Sequence, residues 1–394
     1  MKFMKNAALT IFGVSAIAIS TTETVAFGDT MKIGMPVAQT EFMAVFDQPF
    51  AAGFMMGVEE INAGGGIGGS VMLEVMQQDT RSEAAQSMLL MEEMIDNGAK
   101  VIFMSAGTSD VYAAGSIASQ AEVLAFTAAT VAGFDSVTGE YVRTLGPGDN
   151  QAAAAGAHFA ADGLGAKTAF LLTSPDDPYT AHSTGYFASA FEAKGGEIIG
   201  EASFNLFQQE FGNVVQQIRS LPSEPDVIFT YAFEPDFPIL VRQARAAGIN
   251  SAILGGDAID SPTIYAMGAA ANGVYHMTLL PEDLESRDSM TNLVPVVQAA
   301  YGEGAGLDAF TTSGYLTAML VRDAVLATGS TDPRDLNAWI SDLEDYDTGM
   351  GPLTYKGLGA QPLATMHFVE VVDGAREYRG TVRLDADQIP AAVQ

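Results

Sequence analysis

The chain has 394 residues, of which 48 % are hydrophobic, and it carries a formal net charge of −30 with no cysteine. So large an acidic excess excludes nucleic acid as a partner and makes an anionic membrane surface unattractive, because like charges repel. The lack of cysteine excludes disulfides, a thiol nucleophile and a lipid-modified cysteine. A chain of this length is longer than one hydrophobic core usually accommodates, so we expect two lobes.

The N-terminal residues 1–26 have the pattern of a secretory signal. Lys2 and Lys5 supply positive charge, Ala7–Ile19 is an uncharged apolar run, and small residues lead to Ala26, where we expect cleavage. A membrane anchor or a buried helix is the alternative, but the run is too short to span a bilayer, and no later stretch reaches the roughly 18 apolar residues that a transmembrane helix needs. We therefore expect a protein of the bacterial periplasm that is not lipid-anchored.

After this segment, short β-type runs alternate with helical stretches. The first predicted strands are Met31–Val37, Val71–Gln77, Val101–Met104 and Val123–Phe126. The predicted helices between them are Phe50–Asn62, Ser82–Asn97 and an alanine-rich segment before residue 123. The first two show the spacing of an amphipathic helix, with Phe50, Phe54, Val58 and Ile61 on one face of the first. This order predicts a parallel sheet with helices on both faces.

A breaker cluster at Gly146–Asp149 follows a strand that ends at Arg143-Thr144, and the same alternation then restarts. The next predicted strands are Thr168–Leu172, Glu197–Glu201, Val227–Tyr231 and Ala252–Leu254. The helices of this second set are Ala152–Gly163, Thr184–Lys194, Phe211–Ser220 and Ile239–Ala247. The last third contains two helices and a β-rich tail, at Thr291–Ala300, Ala309–Ala327 and Thr365–Val372. Two successive α/β sets indicate two similar lobes.

The chain lacks the sequence motifs of the common catalytic and nucleotide-binding sites. The glycine run Gly64–Gly69 closes a helix and precedes a strand, whereas a phosphate loop follows a strand and opens a helix, so we interpret it as a turn that ends the helix. No Gly-x-Ser-x-Gly motif is present. Metal-ligand spacing is absent from the four histidines, which are His158, His182, His276 and His367. The many acidic residues leave open a glycosidase with a carboxylate pair. The lack of catalytic motifs nevertheless favours a protein that binds its ligand without catalysis and uses neither a metal nor a cofactor.

Ligands of open parallel sheets lie at the carboxyl ends of the strands, and several of these ends are rich in hydroxyl and small residues. Ser105–Asp110 follows the third predicted strand and leads into a helix. Its hydroxyls and the helix N-terminal amides suit a carboxylate, although an ordinary helix cap explains the same residues. The other strand-end segments are Thr127–Thr130, Ser174–Tyr179, Ala232–Asp236 and Gly255–Asp257.

Taken in order, these segments resemble the periplasmic branched-chain amino-acid-binding proteins of ABC importers, which are type I periplasmic binding proteins. The similarity covers nearly the whole chain after the signal and is closest at Glu59–Ile67, Val241–Gly248 and Met350–Tyr355. The resemblance implies an α/β fold of two Rossmann-like lobes with parallel-sheet cores, joined by a three-strand hinge. It does not identify the ligand, because this family also takes up aromatic acids, amides and urea.

The resemblance also implies which residues hold the charged ends of an amino acid. By position, Thr108, Ser109, Ala128 and Thr130 belong to the loops that would bind the α-carboxylate, and Asp257 matches the acidic partner of the α-ammonium. This division makes physical sense, because a buried carboxylate needs neutral donors and a buried ammonium needs one fixed anion. A helix cap is the alternative role for Asp257.

Three aromatic residues are expected on the cleft walls by the same resemblance. Tyr179 matches the tyrosine of a Tyr-Gly loop in which Thr180 replaces the glycine, Phe233 matches the next aromatic position, and Phe46 follows the first strand in a loop. Packing on the surface of a lobe is the alternative for each. Such walls suit an apolar or planar ligand group, and they also stack on quaternary amines.

We therefore expect a binding protein and not an enzyme. Its first lobe would comprise residues 27–146 and 277–353, and its second lobe residues 147–276 and 354–394. Hinge closure around one small ligand, an amino acid with a branched or other apolar side chain, would present a monomer to an ABC permease in the inner membrane. The alternatives are the same fold with an amide, urea, aromatic acid or quaternary amine as ligand, a ligand sensor for a receptor, and an exported hydrolase.

Overall fold

The computed structural model describes residues 29–303 and 305–393, so the predicted signal at residues 1–26 lies outside the described residues. Five parallel strands form the sheet of the first lobe: β1 (Thr30–Val37), β2 (Met72–Asp79), β3 (Val101–Phe103), β4 (Leu124–Phe126) and β5 (Val142–Arg143). Their order across the sheet is β2-β1-β3-β4-β5, so consecutive elements are joined by helical crossovers.

The helices of the first lobe come from two distant parts of the chain. The early part supplies α1 (Ala44–Ala63), α2 (Ala84–Asp96), α3 (Thr108–Gln120) and the short α4 (Asp135–Thr138). Strands β3 and β4 are apolar at every position, and in β3 Val101 and Phe103 pack on one face of the sheet while Ile102 packs on the other. This is why helices cover both faces of the sheet.

The second lobe contains helices α5 (Asp149–His158), α6 (Pro178–Ala193), α7 (Gly212–Arg219), α8 (Asp236–Ala246) and α9 (Pro262–Ala266). One π-helical turn, Phe159–Gly163, continues α5. The chain then returns to the first lobe with α10 (Leu293–Tyr301), α11 (Ala309–Thr328) and α12 (Pro333–Ser341).

Seven strands form the sheet of the second lobe, and two more form a separate small ribbon. The ribbon pairs β11 (Tyr346–Asp347) with β12 (Pro352–Leu353). The sheet contains β6 (Thr168–Thr173), β7 (Glu197–Ser203), β8 (Val227–Thr230), β9 (Ala252–Gly255), β10 (Val274–Thr278), β13 (Met366–Val372) and β14 (Ala375–Val382). Its order is β14-β13-β10-β9-β8-β6-β7. Strands β6 to β10 are parallel, whereas the hairpin β13–β14 is antiparallel.

Aromatic packing fixes the helices of the second lobe on its sheet. Phe229 of β8 is fully buried, and its ring stacks 4.0 Å from that of Phe187 on α6. On the opposite face, Phe170 and Ile228 pack against the apolar sides of α7 and α8. Leu240 of α8 is one of the residues in this cluster. The alternation of these faces along each strand again places helices on both sides.

The chain passes between the lobes three times, after β5, after β10 and before β13. Leu280, directly after β10, and Tyr355, between the ribbon and β13, both belong to the core of the first lobe. The Tyr355 hydroxyl donates a 2.7 Å hydrogen bond to the carbonyl of Thr144, which ties two passages together. The residue limits proposed for the lobes, 27–146 with 277–353 and 147–276 with 354–394, stay a prediction.

Two glycines bring α1 and α11 into backbone contact. A Cβ on Gly53 would lie 1.8 Å from the carbonyl oxygen of Thr311, and a Cβ on Gly314 would lie 2.0 Å from that of Phe50. No side chain fits at either position, so the helices approach more closely than ordinary side chains allow. Among the described helices, none is long and apolar enough to span a membrane.

The predicted α/β class with two lobes is confirmed, while several elements differ from the prediction. The second sheet is mixed, because the C-terminal hairpin pairs antiparallel to it. Helix α1 begins at Ala44 and runs through Pro49, so Phe46 lies in its first turn and not in a loop. Helix α6 begins six residues earlier than predicted, because the Asp177 carboxylate accepts a hydrogen bond from the Tyr179 N–H and Pro178 fits the first helical position.

The glycine run is a turn between α1 and β2, as predicted. Gly65 and Gly66 have φ of +91° and +86°, values that residues with a side chain rarely adopt. A Cβ on Gly66 would also lie 2.5 Å from the carbonyl oxygen of Val71. The glycines are therefore required by the turn itself, and no phosphate loop is needed to explain them.

Candidate ligand-binding cleft

A cavity of about 290 Å³ lies between the lobes, where loops at the carboxyl ends of parallel strands in both sheets meet. The first lobe contributes the segments after β1, β2, β3 and β4 and the start of α11, and the second lobe contributes the segments after β6, β7, β8 and β9. All eight residues predicted to bind ligand lie on this wall: Phe46, Thr108, Ser109, Ala128, Thr130, Tyr179, Phe233 and Asp257. The structure brings them together, and their role in binding stays a prediction.

Asp257 and Tyr179 form a polar pair on the second-lobe side. Asp257 begins the short 3₁₀ turn Asp257–Ile259 after β9, and Tyr179 lies in the first turn of α6. The Tyr179 hydroxyl donates a hydrogen bond of 2.8 Å to Oδ1 of Asp257. A Cβ on Gly256 would lie 2.9 Å from that hydroxyl, so the glycine permits this approach. Gly256, and not Asp257, is the cap residue of this turn, and the Asp257 side chain lies on the cleft wall.

Burial governs the protonation of both groups. It raises the pKa of Asp257, and the hydrogen bond from Tyr179 offsets part of that rise by stabilising the carboxylate. Burial, together with the charge of Asp257, raises the pKa of Tyr179 well above 10, so the hydroxyl stays a donor. The ring of Tyr179 lies 4.8 Å from that of the buried Tyr231, which holds it in place. A cation beside Asp257 would favour its ionised form.

Thr108 connects the two lobes at the start of α3. Its hydroxyl donates a hydrogen bond of 3.3 Å to Oδ1 of Asp177, the residue that caps α6. The same oxygen accepts the backbone N–H of Tyr179 at 2.9 Å. Burial raises the pKa of Asp177, and these two donors lower it in part. The hydroxyl expected to bind a ligand carboxylate is therefore already paired with a carboxylate of the chain.

Two further carboxylates support the first-lobe loops. Asp47 accepts the backbone N–H of Ala38 at 2.7 Å and that of Ala106 at 2.8 Å, so it ties the segment after β1 to the segment after β3. Burial raises the pKa of Asp47 to about 6 in spite of these donors. Asp110, in the first turn of α3, accepts a hydrogen bond from the Ser87 hydroxyl, and burial raises the pKa of Asp110 as well.

The loop of Thr130 is fixed by residues of the passages between lobes. Its carbonyl accepts the backbone N–H of Asp149 at 2.7 Å and the side-chain amide of Gln361 at 3.0 Å. Gln361 also donates to the carbonyl of Val131 at 3.1 Å. Because Asp149 and Gln361 belong to different passages, the loop that carries Ala128 and Thr130 is coupled to the hinge.

Aromatic rings from both lobes make up much of the remaining wall. The first lobe supplies Phe42, Phe46 and Phe310, and the second supplies Tyr179, Phe207 and Phe233. Two edge-to-face pairs cross from one lobe to the other. Phe46 and Phe233 have centroids 6.0 Å apart at 84°, and Phe42 and Phe207 have centroids 5.7 Å apart at 67°. The wall therefore offers an apolar lining that forms only when the lobes are together.

Phe207 and Phe42 lie at the mouth of the cleft, where they are 43 % and 52 % exposed. Phe207 has a φ of +65°, a left-handed conformation that is costly for a bulky residue. The buried carboxylate of Asp236 accepts the N–H of Phe207 at 2.6 Å and that of Gln209 at 3.1 Å, and thereby holds the loop in this shape. The position of the Phe207 ring is thus built into the fold.

Several wall residues were not predicted from the sequence: Phe42, Asp110, Asp177, Phe207 and Phe310. Asp177 had a usable signal, because an Asp-Pro pair is typical of a helix start. Phe42 lies four residues before Phe46, a spacing that suggests a shared face only once α1 is known to begin near it. Phe310 opens α11 in the last third of the chain, and no local pattern connects it to the cleft.

The wall carries carboxylates but no basic side chain. Its acidic residues are Asp110, Asp176, Asp177 and Asp257, and among the described residues no Lys, Arg or His lines it. Chemically, this cleft can hold a positively charged group against a carboxylate and an apolar body among the rings.

A larger cavity of about 750 Å³ lies on the outer side of the first lobe, beside α1, α11 and the β11–β12 ribbon. Its tyrosines are engaged with neighbouring carboxylates, since the hydroxyl of Tyr315 donates to Glu60 at 2.7 Å and that of Tyr346 to Asp323 at 2.5 Å. Because these groups satisfy one another and do not lie at strand ends, the cleft between the lobes is the better candidate site.

Comparison with known proteins gives one family for this chain. A family model described as periplasmic binding protein matches residues 30–376. The leucine-, isoleucine-, valine-, threonine-, and alanine-binding protein of Pseudomonas aeruginosa is 24 % identical over 328 residues, which cover 82 % of this chain and 85 % of that protein.

Solved structures share the fold. The branched-chain amino acid transporter substrate binding protein LivJ from Streptococcus pneumoniae, in complex with isoleucine, has a TM-score of 0.79 and 20 % identity, and the match covers 90 % of this chain and 100 % of that one. A solute binding protein of an ABC transporter from R. palustris, in complex with benzoate, has a TM-score of 0.76 and 19 % identity over 90 % of this chain and 96 % of that one. Because the family model matches most of its length, this chain belongs to the periplasmic binding protein family.

Proposed function

We propose that this protein binds one small ligand with a cationic amine and an apolar body, such as an apolar amino acid, and delivers it to an ABC importer. The observation that carries the proposal is the Asp257 carboxylate, held by Tyr179 on a wall otherwise rich in aromatic rings. A buried ammonium needs such an anion, and an apolar side chain gains free energy when rings replace water around it. Binding without reaction is the role, so the protein is not an enzyme.

Closure of the lobes is the step that couples binding to delivery. The wall is assembled from both lobes, so a ligand that touches both stabilises the closed arrangement over the open one. The permease would then recognise the closed form. The partners in this proposal are therefore one small molecule and an inner-membrane permease, with the protein acting as a monomer in the periplasm.

The choice of an amine rests on charge. Relatives include a protein named for leucine, isoleucine and valine, and similar folds have been solved with isoleucine or with benzoate. A free aromatic acid would bring its carboxylate among Asp110, Asp177 and Asp257, and no basic residue in the described part of the chain lines the wall to balance it. An amine meets the same residues with the opposite sign of interaction. The proposal therefore favours amines over aromatic acids.

A thermal-shift panel tests the proposal. The chain from Phe27 onward is heated with leucine, isoleucine, valine or phenylalanine, and separately with benzoate or isocaproate. A ligand present at 100 times its Kd adds about 2.7 kcal/mol to the free energy of unfolding, which raises Tm measurably. We expect a rise with at least one amino acid and none with either acid. A rise with the acids alone, or with none of these compounds, contradicts the proposal.

A further inference from the structure

The helix terminus that would suit a ligand carboxylate is already provided with carboxylates of the chain itself. Asp110 lies in the first turn of α3, and Asp177 accepts the hydroxyl of Thr108 at the start of that helix. An anion stabilises a helix N-terminus by interacting with its N–H groups and its dipole. Two carboxylates are thus close to the α3 terminus, and a third anion from the ligand would meet their repulsion there.

A further carboxylate lies behind the cleft with one oxygen unpaired. Asp149 is 1 % exposed, its Oδ1 accepts the N–H of Ala132 at 2.9 Å, and its Oδ2 has no hydrogen-bond partner among the described residues. Burial raises the pKa of Asp149, and the charges of Asp257 and Asp177 act in the same direction. Asp149 therefore lies within electrostatic reach of both Asp257 and Asp177, and among the described residues no basic side chain lines the cleft wall beside them.

The rings complete the description of a site for cations. Phe46 pairs with both Phe233 and Phe310 on the wall, and Tyr179 adds a ring whose hydroxyl donates to Asp257. Aromatic faces attract a positively charged group placed near them, and they do so more strongly when water is excluded. Carboxylates and ring faces together favour positive charge over the whole ligand, beyond the single ammonium that Asp257 can pair.

From this arrangement we propose that the cleft selects ligands of net positive charge, so that an amine without a free carboxylate binds more tightly than the zwitterionic amino acid of the same shape. The inference rests on the proposed function, in which an amine pairs with Asp257, and narrows its ligand class. Amino-acid amides, simple amines and quaternary amines belong to the preferred class. Zwitterions bind less tightly, and plain acids are rejected.

Isothermal titration with matched ligands tests the inference at neutral pH. The pairs are leucine with leucinamide and phenylalanine with phenylalaninamide, with choline as a quaternary amine and isocaproate as an acid. We expect each amide to bind at least about tenfold more tightly than its amino acid, as expected for one repulsive charge removed at this partly buried site. If the amino acids bind as tightly as their amides or more tightly, the inference is overturned while the proposed function stands. If only isocaproate binds, or nothing does, both are overturned.

Two variants separate charge selection from general damage. Asp177→Asn removes one charge and keeps a good helix cap, because asparagine caps as well as aspartate does. Asp96→Asn makes the same change of net charge on the exposed end of α2, away from the cleft. We expect the ratio of amide to amino-acid affinity to fall about threefold or more in the first variant and to stay constant in the second. Equal ratios in both variants and in the unmodified protein overturn the inference.

Discussion

The hydroxyl of Tyr179 donates a 2.8 Å hydrogen bond to Oδ1 of Asp257, and both residues lie on the wall of the cleft between the lobes. This contact holds the carboxylate in one place and stabilises its charged form against burial, which otherwise raises its pKa. An anion that is already oriented loses less free energy when it pairs with a ligand cation. The pair is therefore central to the function proposed for this protein.

Replacing Tyr179 with phenylalanine tests that contact. Tyr179→Phe keeps the ring against Tyr231 and removes the hydroxyl donor, so ionising Asp257 costs more free energy. We therefore expect an amine-bearing ligand to bind about tenfold more weakly, in line with about 1.5 kcal/mol for a hydrogen bond to a charged group. Titration calorimetry measures the loss. The matched control is Tyr315→Phe, which removes a hydroxyl donor to Glu60 in the first lobe, outside the cleft. Equal affinities in the two variants would show that the contact does not serve binding.

The aromatic pair at the mouth is expected to slow the release of ligand. Phe42 and Phe207 meet across the lobes at 5.7 Å, and such a pair contributes about 0.5–1.5 kcal/mol beyond the area it buries. We expect Phe42→Ala and Phe207→Ala each to raise the dissociation rate about threefold to tenfold, and the double variant to add little more, because the pair is lost with either ring. Stopped-flow release of ligand measures these rates. Leu89→Ala, at an exposed position on α2, is the control, and strictly additive effects of the two substitutions would argue against a contact between the rings.

The raised pKa of Asp47 predicts that the stability of the protein depends on pH. Its pKa is raised by burial to about 6 from 3.8 for an ordinary aspartate, so the folded protein holds this proton more tightly than the unfolded chain does. The contribution of Asp47 to the free energy of unfolding is therefore fully present below about pH 4 and is lost as the pH rises through 6, by about 3 kcal/mol in total. Urea unfolding of the wild type and of Asp47→Asn from pH 4 to 7 measures it. The difference between the two proteins should fall across this range, and a constant difference would contradict the raised pKa.

A glycine in the contact of α1 with α11 and a glycine in open space on α6 should respond to substitution by alanine in opposite directions. Gly53→Ala places a methyl group where the carbonyl of Thr311 already lies, so the helices must separate and we expect a loss of about 3 kcal/mol in the free energy of unfolding. Gly185→Ala, at an exposed position of α6 with open space around it, should instead add about 0.5–1 kcal/mol by raising helix propensity. Denaturant unfolding measures both. Similar small changes in the two variants would contradict the close packing of α1 on α11.

The elements that were predictable from the sequence are those whose pattern is local. The apolar runs at Val101–Phe103 and Val227–Thr230 are short and buried on both faces. They therefore predict central strands of a parallel sheet that is covered by helices on both sides. Helix α1 begins at Ala44, before the predicted start at Phe50, and it contains Pro49 because one lost hydrogen bond near a helix start is tolerated when Phe46 and Phe50 bury their rings. Strand β10 was missed because Val274–Thr278 contains His276, whose buried ring hydrogen-bonds to Tyr265 from another segment.

The wall residues of the cleft divide in the same way, into those that a local sequence pattern places there and those that depend on distant parts of the chain. Residues at strand ends, such as Thr130 and Asp257, could be placed there because carboxyl ends of parallel strands share one edge of a sheet. Phe310 and Phe207 could not, since one depends on the return of the last third of the chain and the other on a left-handed backbone held by Asp236. The pairing of Thr108 with Asp177 was equally hidden, because it exists only between lobes.

The most direct test of the central claim is the affinity of Asp257→Asn for the apolar amino acid or amide that the unmodified protein binds most tightly, measured by titration calorimetry. Asparagine keeps the size of the side chain and can still meet the Tyr179 hydroxyl, so the variant removes the charge that we assign to the ligand amine. A loss of at least about one hundredfold, or about 2.7 kcal/mol, is the predicted result. An affinity unchanged from that of the unmodified protein would mean that the ammonium does not bind at Asp257.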